Sequence, residues 1–266
     1  MLPELRRQKI LEQIQRNGSA SVAELARDFS VSLITVHRDL DALAREGLVD
    51  RVHGGARPAA RLAHVETDWA KRRRLASEAK ALVAERALEW IEDGSTIFLD
   101  SSTTALALAR QLERHPPRSL TLVTNSPAIA VELHAEPIHV IVTPGEVDQT
   151  LRSIGGRWTV EFLARLNFDA SFISAAGVTL EHGLTTTRPA LADTLAAARG
   201  VSARTLGLID SSKFGRSSLL PIVRAEELDA LVVDDGLPAD TVASYRAAGV
   251  NVVVAERERP ALSATT

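Results

Sequence analysis

The sequence predicts an α/β protein in two parts: a small helical module of roughly 60 residues, then a larger domain on a mostly parallel sheet. Three observations carry this. An amphipathic stretch at 30–43 turns an apolar stripe to one side and a short polar face to the other. From Thr96 onward, short apolar runs alternate with helical stretches. Between these two regions, residues 54–60 have no periodicity and read as a linker.

The small module is read element by element. Glu4–Arg16 carries Leu5, Ile10 and Ile14 in amphipathic order and stops at Asn17-Gly18, a good C-terminal signal. Ser21 and Glu24 have capping-box spacing ahead of a helix whose inner face is Val22, Leu25, Ala26 and Phe29. Ser30-Val31 makes a tight turn, and Ser32 caps the third helix. There the 3-4-3 spacing stacks Leu33, Val36, Leu40 and Leu43 on the inner side, while Ile34, Thr35 and Arg38 project from the other. After Glu46-Gly47, residues 48–55 read as a short strand and a glycine turn. Three helices and a hairpin make a winged helix-turn-helix, which lays the N-terminal residues of its second motif helix on base edges in a major groove. A three-helix protein-binding module is the alternative. Charge does not decide between them, because residues 1–60 hold nine Lys/Arg against eight Asp/Glu. Distribution favours DNA, since Arg38, Arg51, His53 and Arg57 gather on the helix and wing.

The whole chain is ordinary in composition, 45% hydrophobic with a net charge of -3. Cysteine is absent, which excludes disulfides, thiolate metal sites and a cysteine nucleophile. Its seven histidines are dispersed without ligand spacing, so neither metal nor cofactor is expected. No run approaches the roughly 18 apolar residues of a membrane span, and no apolar signal segment opens the chain. A soluble, cytoplasmic protein is the expectation.

The expected domains are 1–57 for the winged helix-turn-helix, 58–68 for a linker, 69–258 for the larger domain and 259–266 for a flexible tail. One long helix is expected from Trp69 to Asp93, closed by Gly94. Its Lys71-Arg72-Arg73-Arg74 run invites a DNA or nucleotide reading; the plainer one is a solvated face near the helix start, with Arg73 or Arg74 as the alternative brace for the larger domain.

In that domain the strand candidates are Thr96–Asp100, Leu120–Thr124, Ile138–Val142, Ala170–Ser174, Thr205–Asp210, Ala230–Val233 and Asn251–Val254. Helices are expected at Ala105–Leu112, Arg157–Leu166, Ala190–Val201 and Ala239–Ala248. All-apolar strands separated by helices imply a parallel sheet covered on both faces, with ligands bound beyond the strands' carboxyl ends. Three such ends are polar. Asp100-Ser101-Ser102-Thr103-Thr104 opens a helix, where backbone N–H groups and hydroxyls suit an anion; Ser102 or Thr103 as a mere cap is the plainer reading. Thr124-Asn125-Ser126 repeats the pattern. Asp210-Ser211-Ser212-Lys213 offers a point charge for a phosphate, or an ordinary surface lysine.

Arg7-Gln8-Lys9-Ile10-Leu11, Ser21–Ala26, Val36-His37-Arg38-Asp39-Leu40 and Arg51-Val52-His53-Gly54-Gly55-Ala56 resemble the DeoR family of bacterial transcriptional regulators. Phe98–Thr104, Val123–Ser126 and Asp210–Gly215 look like that family's sensor domain, so the resemblance spans nearly the full chain. It implies a fold similar to ribose-5-phosphate isomerase, a response to phosphorylated sugars or related metabolites, and repression of a carbohydrate-metabolism operon. Carried over by motif, it implies effector contacts at Asp100, Ser102, Thr103, Thr104, Asn125 and Lys213. It implies DNA contacts at Ser32, Ile34, Thr35, His37, Arg38, Arg51 and His53. The expected partners are a double-stranded DNA operator, a small-molecule effector and further copies of the chain in a homo-oligomer.

The sequence departs from the family pattern where His37 precedes Arg38 instead of a second arginine, and where Ser102 and Pro144 stand in place of glycines. A Glu-Ala…Lys signature is also replaced, leaving Asp193 and Arg199. Arg152 and Arg188 are candidate compensating cations, or surface residues. Sugar isomerisation needs a positioned carboxylate base. Asp100, Asp148, Asp169, Asp210 and Glu146 are present, but no paired motif singles one out, so catalysis is not expected.

Overall fold

The computed structural model describes residues 3–45, 48–52, 54–58 and 69–257. His53, most of the expected linker and the expected tail lie outside these residues.

The N-terminal module is α1 (Pro3–Asn17), β1 (Ala20–Ser21), α2 (Val22–Asp28), α3 (Leu33–Arg45), β2 (Val49–Val52) and β3 (Gly55–Pro58). The strands form one antiparallel sheet in the order β1-β3-β2. Residues 55–58, expected to begin the linker, are therefore its central strand. Gly55 is required there, because a Cβ would collide with the Ala20 carbonyl on β1. The capping box is in place: Ser21 Oγ accepts from Glu24 N at 3.2 Å and the Glu24 carboxylate accepts from Ser21 N at 2.9 Å. Ile10, Ile14, Leu25, Val36, Leu40 and Leu43 make the module's core. The inner stripe of α3 differs at one end. Leu33 is 54% exposed and lies outside the core that Val36, Leu40 and Leu43 join.

The larger domain opens with a correction. The single helix expected from Trp69 to Asp93 is broken into α4 (Trp69–Arg74) and α5 (Ser77–Ala87), with a short 3-10 turn over Leu88–Trp90. Ala76 at the break is left-handed, with φ 50° and ψ 39°. Next come β4 (Thr96–Leu99), α6 (Thr103–Arg114), β5 (Leu120–Thr124), α7 (Pro127–Glu132), β6 (Ile138–Val142), β7 (Glu146–Asp148), β8 (Ser153–Gly155), α8 (Arg157–Leu163) and β9 (Ala170–Ile173). The chain ends through β10 (Gly177–Thr179), β11 (Gly183–Thr186), α9 (Pro189–Gly200), β12 (Thr205–Ile209), β13 (Leu220–Val223), β14 (Ala230–Asp234), α10 (Ala239–Ala247) and β15 (Val252–Ala255).

Seven strands form a parallel sheet in the order β15-β14-β12-β9-β4-β5-β6. Successive residues face opposite sides. Ile97, Leu99, Leu120 and Leu122 pack under α5, α6 and α7. Phe98, Val123, Ile209 and Val233 pack under α8, α9 and α10. This is the doubly covered parallel sheet that the sequence predicts. Two smaller features were not foreseen: the β7-β8 hairpin and the antiparallel sheet β10-β11-β13. From β4 the chain runs one way to β5 and β6, then returns to build β9, β12, β14 and β15 on the other side. The switch point lies between β4 and β9.

Candidate functional site

A pocket sits at that switch point, beyond the carboxyl ends of the adjacent strands β4, β9 and β12. Ser102, Thr103 and Thr104 line it at the start of α6, with Ser174 and Ala175 after β9 and Asp210, Ser212 and Lys213 after β12. Ser102 caps α6, its Oγ accepting from Ala105 N at 2.9 Å. The cap and the anion site predicted for this segment are therefore compatible, since the helix's N-terminal dipole still faces the pocket.

Of the expected effector residues, the structure brings together Ser102, Thr103, Thr104 and Lys213. Asp100 stands behind the wall. Its carboxylate accepts from Ser102 N at 2.9 Å and from Ser174 N at 2.7 Å, so it ties two strand ends together. Burial pushes its carboxyl above the usual range, against the pull of those hydrogen bonds. Asn125 is buried elsewhere, beyond β5, and its amide donates to the Ile154 carbonyl at 3.0 Å. It does not line the pocket.

Three cations were not singled out for the pocket: Arg72, Lys80 and Arg216. Arg72 reaches in from α4 and donates to the Leu151 carbonyl at 3.2 Å. Its neighbour Arg73 instead pairs with Glu132 of α7 at 3.3 Å and lies over the Trp69 ring. The basic run is thus a brace at Arg73 and a pocket wall at Arg72. Lys80 is buried in α5, and its Nζ donates to the Arg72 carbonyl at 2.6 Å and to the Leu75 carbonyl. Burial lowers its ammonium to about 8. Burial also lowers the Arg216 guanidinium, with Asp210 pulling the other way. A signal for Lys80 was present in the sequence, because it shares the inner stripe of α5 with Val83, Ala84 and Ala87. A lysine in an apolar stripe needs a reason to be there.

The other candidate cations serve elsewhere. Arg152 stacks 4.8 Å from the Trp69 ring, Arg188 pairs with Asp148 at 3.4 Å, and Arg199 pairs with Glu227. Asp193 is exposed on α9, away from the pocket. Four cations around one lining carboxylate, Asp210, make an enclosure suited to an anion with polyol hydroxyls.

On the N-terminal module, Ser32, Ile34, His37 and Arg38 are exposed along the start of α3, and Thr35 is half-buried. Ser32 Oγ accepts from Thr35 N at 3.2 Å and lies 2.9 Å from Thr35 Oγ1. Arg51 on β2 reaches His37 Nδ1 at 2.8 Å and Asp41 at 3.5 Å, joining the strand to the exposed side of α3.

Residues 6–61 match the DeoR-like helix-turn-helix domain, and residues 75–235 match the DeoR C-terminal sensor domain. The chain belongs to the DeoR family of transcriptional regulators. It is 32% identical over 255 residues to the HTH-type transcriptional regulator GlpR of Haloferax volcanii, covering 95% of this chain and 98% of the relative. It is 32% identical to the putative aga operon transcriptional repressor of Escherichia coli O157:H7, covering 94% and 93% of the two chains. To the glycerol-3-phosphate regulon repressor of Escherichia coli K12 it is 31% identical, covering 88% and 91%. Ribose 5-phosphate isomerase A of Methanocaldococcus jannaschii aligns over 52% of this chain and 55% of its own, with 16% identity and a TM-score of 0.38. A likeness that slight says nothing about chemistry. The DeoR-family chain is a regulator rather than an enzyme, with a DNA-binding module and a sensor domain. No helix among its described residues is long and apolar enough to cross a membrane.

Proposed function

We propose that this DeoR-family protein represses a carbohydrate-metabolism operon and answers to a phosphorylated sugar or a related metabolite bound at the switch-point pocket. One observation carries the reading: Arg72, Lys80, Lys213 and Arg216 converge with the N-terminus of α6 on a single polar enclosure. The phosphate takes the cations and helix amides, and Asp210 accepts from sugar hydroxyls. The names of the relatives, which include repressors of glycerol-3-phosphate and aga genes, favour repression and this ligand class.

The module that ends with β3 at Pro58 reads DNA, and the domain that opens with α4 at Trp69 senses the effector. Ile34, Thr35 and Arg38 enter the major groove, Ser32 and His37 flank them, and Arg51 and His53 on the wing meet the backbone or the minor groove. A homo-oligomer presents two such modules to two half-sites, and the effector acts only through its differential affinity for the two arrangements. The protein works in the cytoplasm.

The test is binding of the full chain to its own promoter and to random duplex at moderate salt, with and without a panel of phosphorylated sugars. Operator preference that one sugar phosphate changes, and that Lys213→Ala makes unresponsive, supports the reading. No preference for the promoter sinks the regulator's operator. A normal response of Lys213→Ala sinks the pocket.

A further inference from the structure

Residues 74–77 face two ways. On one side the Arg74 carbonyl accepts from Gln8 Nε2 of α1 at 3.4 Å, and the same Gln8 nitrogen lies 3.3 Å from Ser77 Oγ. Leu75 packs against the hydrophobic core of the winged helix. On the other side Leu75 and Ala76 line the cationic pocket. This short stretch is therefore at once the pocket's wall and a seat for the DNA-reading module.

Its conformation is unusual. A helix ends at Arg74 and another begins at Ser77, with Ala76 held left-handed between them. A non-glycine residue in that region persists only where its surroundings enforce it. The last carbonyls of α4 have no partners further along their own helix. The Arg72 and Leu75 carbonyls instead receive the ammonium of Lys80, and Thr103 Oγ1 from the mouth of the pocket also donates to Arg72 O at 3.4 Å. Lys80 is only 5% exposed. Its buried charge is thus committed to the break between the helices while its side chain borders the space that an anion would enter.

We propose that Lys80 is a latch: a bound phosphate draws its ammonium off the Arg72 and Leu75 carbonyls, and the released α4–α5 break passes the signal to α1 through Leu75 and Gln8. This rests on the pocket reading given under Proposed function. A charged donor bound to neutral carbonyls exchanges them for a dianion with a gain in charge-assisted hydrogen bonding. The two carbonyls then lose their cap, and the break loses what holds it in shape. The winged helix, seated on that break, shifts its position relative to the sensor domain.

The experiment is hydrogen exchange of the full chain with inorganic phosphate and glycerol 3-phosphate as probes, alongside calorimetric binding of each. In the wild type, saturating probe should raise exchange several-fold at the amides of Leu75 and Lys80, which bond to Lys71 O and Ala76 O, and along α1. Lys80→Met should show that raised exchange without probe and no further change with it. Gln8→Ala leaves the pocket untouched and covers the case in which Lys80→Met does not fold. There the probe should still loosen the break while the response of α1 falls, since only the Leu75 contact is left to carry it. Binding by the wild type with unchanged exchange at both segments overturns the latch and leaves the pocket reading intact. Failure of both probes to bind the wild type overturns the phosphate pocket, and the latch with it.

Discussion

Arg6 on α1 and Asp39 on α3 form a two-point pair, Arg6 Nε donating to Asp39 Oδ2 at 2.6 Å and Nη2 to Oδ1 at 3.3 Å. Asp39 lies on the inner side of the helix whose outer side carries Arg38, and its side chain is 7% exposed. That pair ties α3 to α1 across the module. Arg6→Ala removes the partner of the Asp39 carboxylate at a part-buried site, so the module should lose about 1–2 kcal/mol of stability. Arg6→Ala with Asp39→Ala should recover part of that loss, because the double variant leaves no buried charge unpaired. Urea unfolding of the four chains checks both statements, and additive losses would show that the pair does not couple.

Arg38 is exposed on α3 and makes no hydrogen bond or ion pair with the described residues. In this it differs from Arg51, which His37 and Asp41 engage. An arginine that none of the described residues holds is available to the duplex. Arg38→Ala should weaken operator binding by about 1–3 kcal/mol. A loss confined to the operator identifies a base contact, whereas an equal loss on all sequences, with a salt slope lower by about 1, identifies a phosphate. Affinity titrations at several salt concentrations separate these results, and unchanged binding takes Arg38 out of the interface.

Much of this was legible in the sequence, for reasons that individual residues show. Val36, Leu40 and Leu43 announce α3 because burial imposes the helical period on them. The strand ends at Asp100 and Asp210 announce the pocket because a parallel sheet delivers such residues to one edge. The α4–α5 break was illegible. Leu75 and Ala76 are good helix formers, no glycine or proline marks the turn, and local propensity gives no sign of the left-handed Ala76. Asn125 misled for the opposite reason. It stands at a strand end like the others, but β5 lies outside the β4-β9-β12 triplet whose ends meet at the pocket. Arg72, hidden within a basic run, could be told from Arg73 only by seeing which side of α4 faced the sheet.

Ala76 offers a stability test of the break itself. At φ 50° a methyl group meets backbone that glycine avoids. Left-handed backbone costs an alanine roughly 1–2 kcal/mol, and the extra freedom of glycine in the unfolded chain returns part of that. Ala76→Gly should therefore stabilise the protein by about 0.5–1 kcal/mol. Thermal unfolding checks it, and a destabilised variant would show that the methyl group makes packing contacts worth more than the strain.

Lys80 ties stability to alkaline pH. Burial holds its ammonium at about 8 in the folded protein against 10.5 for an ordinary lysine, with Asp210 opposing that shift and Lys213 and Arg72 adding to it. Between those two values the unfolded chain binds a proton that the folded chain has released. Stability contributed by this site therefore rises with pH across the window, by at most about 1.4 kcal/mol per pH unit. Below about pH 8 both states are protonated and the contribution is flat. The difference in urea stability between wild type and Lys80→Met should accordingly shift in favour of the wild type from pH 8 towards 10 and stay level from pH 6 to 7.5. A difference that stays level throughout would mean that the ammonium is as well solvated in the pocket as in water, and that its two carbonyl partners hold a charge the fold does not resist.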